Sequence, residues 1–191
     1  LRMCQRLQVR KHSGVTQVFT SGLHSSVYLQ SAIVLSYPEY LKLIAIELVN
    51  LIKTKISEDE IDLVVSPAMG GIIIGSKVGE ILGKRSIFLE RVNSELCFRR
   101  GFNIKKKSRV VVIEDVITTG KSSEECITAI KKYEAKVIGV FSIVNRSVHD
   151  IDHKVLTYSL LTLKAPLYEP NKVPEYLRKI PIKKPGSRFL N

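Results

Sequence analysis

The sequence predicts an α/β domain in which a parallel β-sheet is covered by helices on both faces. Four patterns typical of buried strands, at residues 62–66, 86–91, 109–114 and 136–144, are interspersed with helical patterns. Neighbouring parallel strands need a crossover connection, which the intervening helices supply. The 191 residues, of which 45% are hydrophobic and 25% are charged, suit one compact domain with a sizeable core.

The N-terminal part of the chain combines strand-like alternation with a strong helical pattern. Residues 16–32 alternate like two short strands around Ser-Gly turn chemistry, and we expect residues 16–36 to form a small β flap, or hood, over the sheet. From Pro38, apolar residues recur at helical spacing as far as Ile52. Proline is well placed in the first turn of a helix, so a helix is predicted here.

Residues 38–165 are predicted to form the α/β core. Its first strand is followed by a tight loop at residues 67–71 and a helix at residues 72–82 that Gly83 closes, and a further helix is predicted at residues 122–133. In such sheets the ligand lies beyond the carboxyl ends of the strands. The segments that should meet there are residues 67–71, 92–102, 115–122 and 145–147.

Composition limits the partners and the compartment. Thirty Lys and Arg against eighteen Asp and Glu give a formal net charge of +12, which fits nucleic acid, an anionic membrane or small phosphorylated substrates. Cys4, Cys97 and Cys126 are odd in number and far apart, so we expect no disulfide framework and a cytoplasmic protein. The apolar stretch at residues 41–52 falls short of a membrane span, and no membrane contact is expected. Five prolines punctuate a basic tail at residues 166–191, which we expect to wrap the surface or be mobile.

The stretch VVVIEDVITTGKS, residues 110–122, ends like a phosphate-binding P-loop. A Walker A loop requires glycine at position 115, where this chain has Asp115, so the P-loop interpretation fails. What remains is a hydrophobic strand with an acidic pair at its end and a small-residue loop that opens a helix. Backbone N–H groups and hydroxyls of residues 118–122 can face a phosphate at the helix N-terminus.

The acidic pair, Glu114 and Asp115, would repel a phosphate and needs another partner. Ribose hydroxyls donate hydrogen bonds to carboxylates, and Mg²⁺ can screen the charges. An acidic N-cap on a Thr-rich turn would explain an isolated Asp-x-Thr-Thr, but not the whole unit of strand, acidic pair and loop. The pattern therefore favours a site for a ribose 5-phosphate.

These residues resemble the motif of the type I phosphoribosyltransferases that binds 5-phosphoribosyl 1-diphosphate (PRPP). The resemblance implies that Glu114 and Asp115 hold the ribose 2′ and 3′ hydroxyls and that residues 118–122 cradle the 5′-phosphate. It also implies that residues 66–75 form a pyrophosphate loop. The PRPP-binding residues implied are Glu114, Asp115, Val116, Ile117, Thr118, Thr119, Gly120, Lys121 and Ser122, with Gly70 and Gly71 of the loop.

Three segments are similar to the orotate branch of this family, at residues 20–30, 66–75 and 145–147. The first resembles the flap that closes over orotate, and the last resembles a strand end whose arginine meets the base. The planar fork of Arg146 suits the orotate carboxylate. The orotate-binding residues implied are Ser21, Gly22, Tyr28, Thr118 and Arg146.

The chain departs from many orotate enzymes at lysine positions. Thr20 and Gly70 stand where those enzymes carry lysines, and the loop at residues 90–102 offers Arg99 and Arg100 in place of lysines and a histidine. It resembles the branch with a short catalytic loop, which implies Arg99, Arg100 and Asp115 as the catalytic residues. In this family the loop often reaches a neighbouring subunit's site, which implies a homodimer.

The reaction implied is transfer of the phosphoribosyl group from PRPP to N1 of orotate, giving orotidine 5′-phosphate and pyrophosphate on the pyrimidine route to UMP. Mg²⁺, bound mainly through PRPP, and the two loop arginines would stabilise charge on the leaving diphosphate. No covalent nucleophile is needed, because positioning and electrostatics supply most of the acceleration.

Two alternatives stay open. A phosphoribosyltransferase for a purine base or uracil would share the motif, although residues 20–30 and Arg146 favour orotate. A regulator that keeps the PRPP fold but binds RNA or DNA would suit the charge of +12. No winged-helix segment precedes the core and aromatic residues are not clustered, so no nucleic-acid partner is expected.

Overall fold

The computed structural model describes residues 9–11, 16–18, 24–25, 27–93, 95–147, 154–163, 168–178 and 182–183. The chain forms two compact units. Residues 31–163 make the larger unit, and residues 1–30 together with residues 164–191 make the smaller one. No helix of the described residues is long and apolar enough to cross a bilayer.

The helices and strands follow the chain in a mixed order. They are β1 (Val9–Lys11), β2 (Thr16–Val18), β3 (His24–Ser25), β4 (Val27–Leu29), α1 (Ser31–Leu35), α2 (Pro38–Lys53), β5 (Leu63–Pro67), α3 (Gly70–Leu82), β6 (Arg85–Val92), β7 (Glu95–Phe98), β8 (Arg109–Ile117), α4 (Lys121–Lys131), β9 (Lys136–Asn145), β10 (Thr157–Thr162), α5 (Glu175–Arg178) and β11 (Ile182–Lys183).

The larger unit contains a six-stranded sheet in the order β10-β9-β8-β5-β6-β7. All neighbours in it are parallel except β7, which pairs antiparallel with β6. The four strands that the sequence predicts are β5, β6, β8 and β9, so the parallel α/β core is confirmed. Strands β7 and β10 at the two sheet edges are additional to that prediction.

Helices pack on both faces of this sheet. Successive residues of β8 point to opposite sides, so each face has its own set of buried side chains. Val110 and Val112 belong to one buried cluster together with Ile127 of α4. Ile113 faces the other side, where a Cβ built on Gly75 of α3 would lie 3.7 Å from the Ile113 Cβ. The core therefore consists of one layer of side chains on each side of the central strand.

Helix α2 has the apolar stripe that its sequence predicts, with Pro38 in the first turn. Its buried residues are Ile44, Ala45, Leu48, Val49 and Ile52. Helix α3 starts at Gly70, two residues before the predicted position, and ends at Leu82, with Gly83 directly after it. Gly83 has a φ of 63°, in the left-handed region that favours glycine, which explains why the helix stops there.

The described residues of the smaller unit form short strands and the short helix α5. Strands β11, β2 and β3 form a three-stranded sheet, and β1 pairs antiparallel with β4. His24 and Tyr168 join their backbones by two hydrogen bonds of 2.8 and 2.9 Å. Residues 31–35, which the sequence analysis places at the end of the flap, form helix α1 and belong to the larger unit.

Candidate active site

Three of the four segments that the sequence predicts to meet lie together at the carboxyl ends of the strands of the large sheet. Arg146, just after β9, donates its backbone N–H to the carbonyl oxygen of Ile117 at 2.9 Å. Gly70, at the start of α3, lies directly against the side chain of Asp115, since a Cβ built on it would be 2.3 Å from Asp115 Oδ2. The strand-end acid, the loop at residues 67–71 and Arg146 thus lie around the carboxyl end of β8, between its two neighbours β5 and β9.

The loop at residues 118–120 is built to present backbone amides. Strand β8 continues to Ile117, further than the predicted residue 114, and α4 begins at Lys121. Between them Gly120 has a φ of 78°, which a side chain would strain. The first N–H groups of a helix have no intrahelical acceptor and carry the positive end of its dipole, so the loop has the donors that the predicted phosphate would need. Phosphate binding itself stays a prediction.

The acidic pair is divided between the two faces of the sheet, because adjacent strand residues point in opposite directions. Glu114 is 5% exposed and accepts a hydrogen bond from Ser123 Oγ at 3.3 Å. Burial and the charge of Asp115 raise the pKa of Glu114 well above its usual value, against a smaller opposing effect of the Ser123 hydrogen bond. The contact with the ribose that is assigned to Glu114 stays a prediction.

Asp115 lies on the opposite face, half-buried, with its carboxylate against Gly70. Ser31 Oγ, from helix α1, donates a hydrogen bond to Asp115 Oδ2. The carboxylate is thus held between a hydroxyl from 84 residues earlier in the chain and a position that has no side chain. Asp115 is the member of the pair whose side chain is only partly buried, and its predicted contact with a ribose hydroxyl stays a prediction.

The loop at residues 67–71 approaches β8 closely. Ala68 N–H donates to the Leu89 carbonyl oxygen at 2.7 Å, and the peptide bond between Ala68 and Met69 is cis. A Cβ built on Gly71 would lie 3.0 Å from the Ile113 carbonyl oxygen, so a larger residue would push the loop away from the strand. Gly70 and Gly71 together let the backbone come near the strand end, where a diphosphate is predicted to bind.

Arg99 and Arg100 are not brought to this convergence by their own chain. Much of the predicted loop is strand β7, which pairs with β6 in a register that sets Phe98 opposite Leu89. Strands β5 and β6 separate β7 from β8, a distance of about 14 Å at the usual strand spacing. The loop conformation predicted for residues 90–102 is therefore wrong at residues 95–98, which form this strand, and the mobility of the segment stays a prediction.

The two arginines also differ from each other. Arg100 forms an ion pair with Glu90 at 2.7 Å and lies over the Phe88 ring at 5.9 Å from its centroid. The hydrogen bond from Arg100 lowers the pKa of Glu90 below its usual value. Arg99 is exposed and forms no ion pair with any described residue. The positive charge of Arg99 is therefore available to a ligand, whereas that of Arg100 is engaged.

Arg146 follows β9 at a turn in which Asn145 Oδ1 accepts from both the backbone N–H and the hydroxyl of Ser147, at 2.9 and 2.7 Å. The Arg146 side chain is 1% exposed. Ser21 and Gly22 lie outside the described residues, and of Tyr28 only the backbone, in β4, is described. The predicted orotate contacts of these residues stay predictions.

Among the described residues, no group of three or more His, Cys, Asp or Glu side chains could hold a metal ion. Mg²⁺ is commonly bound through one or two carboxylates and substrate phosphates rather than by an all-protein cage. The donors present fit that mode, because Asp115 is the only half-exposed carboxylate of the acidic pair. A magnesium ion at this site would be held through the diphosphate of its substrate.

Sequence reasoning missed two side chains that hold the acidic pair. Ser31 contacts Asp115 across 84 residues, and Ser123, the third residue of α4, contacts Glu114. Neither serine stands out locally. The position of Ser123 three residues after Gly120, on the first turn of α4, is the one signal that could have indicated its contact with the strand end.

The family model described as "Phosphoribosyl transferase domain" matches residues 36–174 of this chain. The chain belongs to the phosphoribosyltransferase family. The curated "Orotate phosphoribosyltransferase" of Erythrobacter litoralis is 44% identical to it over 171 residues, which cover 90% of this chain and 88% of that protein. The one of Thermotoga maritima is 43% identical over 173 residues, which cover 91% of this chain and 90% of that protein.

Solved structures share the fold at lower identity. Orotate phosphoribosyltransferase from Aeropyrum pernix matches with a TM-score of 0.62 at 22% identity, covering 78% of this chain and 86% of that one. Adenine phosphoribosyltransferase from Thermoanaerobacter pseudethanolicus matches with a TM-score of 0.59 at 13% identity, covering 72% of this chain and 88% of that one. The predicted type I phosphoribosyltransferase fold is confirmed by these likenesses.

Proposed function

We propose that this protein is an orotate phosphoribosyltransferase that forms orotidine 5′-phosphate and pyrophosphate from orotate and PRPP. The observation that carries the proposal is the convergence of Asp115, the amide-rich loop at residues 118–120 and the pyrophosphate loop at residues 67–71 on one sheet edge. The choice of orotate is supported by relatives of that name at 41–44% identity over about nine-tenths of the chain.

In this proposal each segment at the carboxyl ends of the strands contacts a different group of PRPP or orotate. The loop at residues 118–120 and the N-terminus of α4 bind the 5′-phosphate, and Asp115 accepts a hydrogen bond from a ribose hydroxyl. Backbone amides near Gly70 and Gly71 face the diphosphate. Arg146 supports binding of the orotate carboxylate, because a guanidinium can donate two parallel hydrogen bonds to a carboxylate.

The bond from orotate N1 to C1′ forms as the bond from C1′ to the diphosphate oxygen breaks, and the electron pair of that bond leaves with pyrophosphate. The configuration at C1′ is inverted. Bound through the diphosphate, Mg²⁺ supplies positive charge that offsets the growing negative charge of the leaving group. The chain itself contributes oriented donors and acceptors, which need no reorganisation during the reaction.

The proposal includes a homodimer in the cytoplasm. This is supported by the position of Arg99 after β7, which β5 and β6 separate from β8 and its Asp115, so that a diphosphate in the site of a second subunit would be a suitable partner for its charge. Cys97 and Cys126 are free thiols, which suits a reducing compartment. Mixing an Arg99→Ala chain with an Asp115→Ala chain tests the shared site, since heterodimers would regain one intact site. Failure to recover any activity would contradict it.

The experiment that tests the function is a spectrophotometric assay of orotate consumption with PRPP and Mg²⁺, run beside adenine, hypoxanthine and uracil. We expect turnover with orotate alone and its loss in EDTA. Arg146→Ala should chiefly raise the KM for orotate and leave the KM for PRPP nearly unchanged. Consumption of another base while orotate is untouched would overturn the proposal.

A further inference from the structure

Asp115 is held by contacts that the PRPP motif itself does not contain. Its neighbours on the same face of β8 are Gly70, which offers no side chain, and Ser31, whose hydroxyl donates to Oδ2. Ser31 is 5% exposed, so its hydroxyl is shielded from water and has a fixed place in helix α1. The hydrogen bond therefore joins a buried donor to the carboxylate that faces the substrate side.

The contact restricts the Asp115 carboxylate in a useful way. The side chain of aspartate can rotate about its last bond, and a free carboxylate would be shared among several orientations. With Oδ2 engaged by Ser31, that rotation is stopped and Oδ1 is left to accept from another donor. A hydrogen bond to an ionised group is stronger than one between neutral groups, so it can hold this orientation.

We propose that Ser31 is a positioning residue for PRPP binding: it fixes the Asp115 carboxylate so that its second oxygen meets a ribose hydroxyl. This rests on the proposed function for the identity of the sugar ligand. Ser31 does not touch the reacting atoms, and it acts through Asp115. The proposal adds helix α1, which lies outside the PRPP motif, to the elements that set the affinity for the sugar phosphate.

Three substitutions separate the hydroxyl from the volume of the side chain. Ser31→Ala removes the donor, Ser31→Cys keeps a similar volume with only a weak donor, and Ser31→Thr keeps the hydroxyl. We expect the first two to raise the Kd and the KM for PRPP by about tenfold, which corresponds to about 1.4 kcal/mol, and the third to stay within about threefold of the native protein. The KM for orotate should not change.

Ser36→Ala is the matched control. Ser36 follows the same helix and its hydroxyl also donates one hydrogen bond, to the Ile33 carbonyl oxygen at 2.7 Å, but the side chain is exposed and does not contact Asp115. This variant should bind PRPP like the native protein. A loss of PRPP affinity in Ser36→Ala equal to that in Ser31→Ala would mean that any disturbance of helix α1 has the effect, and would overturn the proposal.

A double-mutant cycle with Asp115→Ala tests whether Ser31 acts through that carboxylate. Calorimetry with PRPP and Mg²⁺ gives the Kd of the native protein, both single variants and the double variant. If the proposal holds, Ser31→Ala has no further effect once Asp115 is alanine. Independent, additive losses would show that Ser31 acts by another route. Thermal unfolding of each variant identifies any that fails to fold. If Ser31→Ala fails to fold, Ser31→Cys takes its place in the cycle.

The same measurements separate this inference from the proposed function. If the native protein consumes orotate and Ser31→Ala is unaffected, the inference alone fails. If the native protein binds PRPP without consuming orotate and Ser31→Ala weakens that binding, the choice of orotate fails and the role of Ser31 stands. If the native protein does not bind PRPP, both are overturned.

Discussion

Replacing Gly70 with alanine is the sharpest test of the packing around the strand-end carboxylate. The added Cβ would lie 2.3 Å from Asp115 Oδ2 and 2.6 Å from both Cγ and Oδ1. Ordinary van der Waals contact starts near 3.4 Å. The carboxylate must therefore retreat by about 1 Å, which breaks the hydrogen bond from Ser31 and moves the acceptor away from the ribose.

The stability of the Gly70→Ala protein should hardly change. The backbone of Gly70 lies outside the left-handed region, so alanine can adopt it, and in a helix alanine is favoured over glycine by roughly 0.5–1 kcal/mol. That gain offsets part of the cost of moving a side chain that borders solvent. A misplacement of about 1 Å in a site can lower turnover by about a hundredfold, so we expect kcat/KM for PRPP to fall by about that factor.

The control is Gly83→Ala at the other end of the same helix. Nothing lies within 4 Å of a Cβ at Gly83, but its φ of 63° strains an alanine. It should lose about 1–2 kcal/mol of stability and keep its kinetic constants. Steady-state kinetics and thermal unfolding of the two variants are compared side by side. Native kcat/KM in Gly70→Ala would refute the reasoning, because it would show that the position of Asp115 is unimportant.

Three further predictions concern charge. Burial raises the pKa of Glu114, so the free energy of unfolding of the native protein should fall as pH rises from about 4.5 through that raised pKa. Glu114→Gln should remove this loss and raise the melting temperature at pH 8 by about 2–4 °C over the native protein. A native stability that does not change with pH in this range would contradict the prediction. Hydrogen bonds from Arg109 lower the pKa of Asp62 from 3.8 to about 2. Asp62→Asn should therefore lower the free energy of urea unfolding at pH 7 by about 1 kcal/mol, a figure that allows for the 41% exposure of the Asp62 side chain. The difference from the native protein should vanish as pH falls from about 4 through 2. Arg99→Ala should lower kcat and leave the melting temperature unchanged. Arg100→Ala leaves Glu90 without its ion pair, so its main effect should be a lower melting temperature and its effect on kcat should be small. The reverse pattern would exchange the two roles.

The central part of the fold is readable from the sequence because its signals are local. Strand β8 is a run of β-branched residues that is buried on both faces, and such a run occurs only where helices cover both sides of a sheet. Helix α2 carries its buried stripe at regular spacing behind Pro38. The anion-binding loop is likewise local, since Gly120 and the helix start at Lys121 are consecutive in the chain.

The edges of the sheet could not be predicted in the same way. Residues 157–162 of β10 are half-buried or exposed, without the continuous apolar run that marks the inner strands. Strand β7 is four residues long and contains a single buried side chain, Leu96. This short segment has no composition that marks a strand, and it forms one by pairing with β6. The resemblance to a family loop therefore predicted the wrong secondary structure for these four residues.

The acidic pair posed a difficulty in the sequence, because two carboxylates next to a phosphate-binding loop should repel the ligand. Strand alternation resolves it by placing Glu114 and Asp115 on opposite faces of β8. On one face Glu114 is buried and accepts a hydrogen bond from Ser123. On the other face one carboxylate remains, directed by Ser31. The strand end therefore has one partly exposed carboxylate, that of Asp115, while the other acid of the pair is buried on the opposite face.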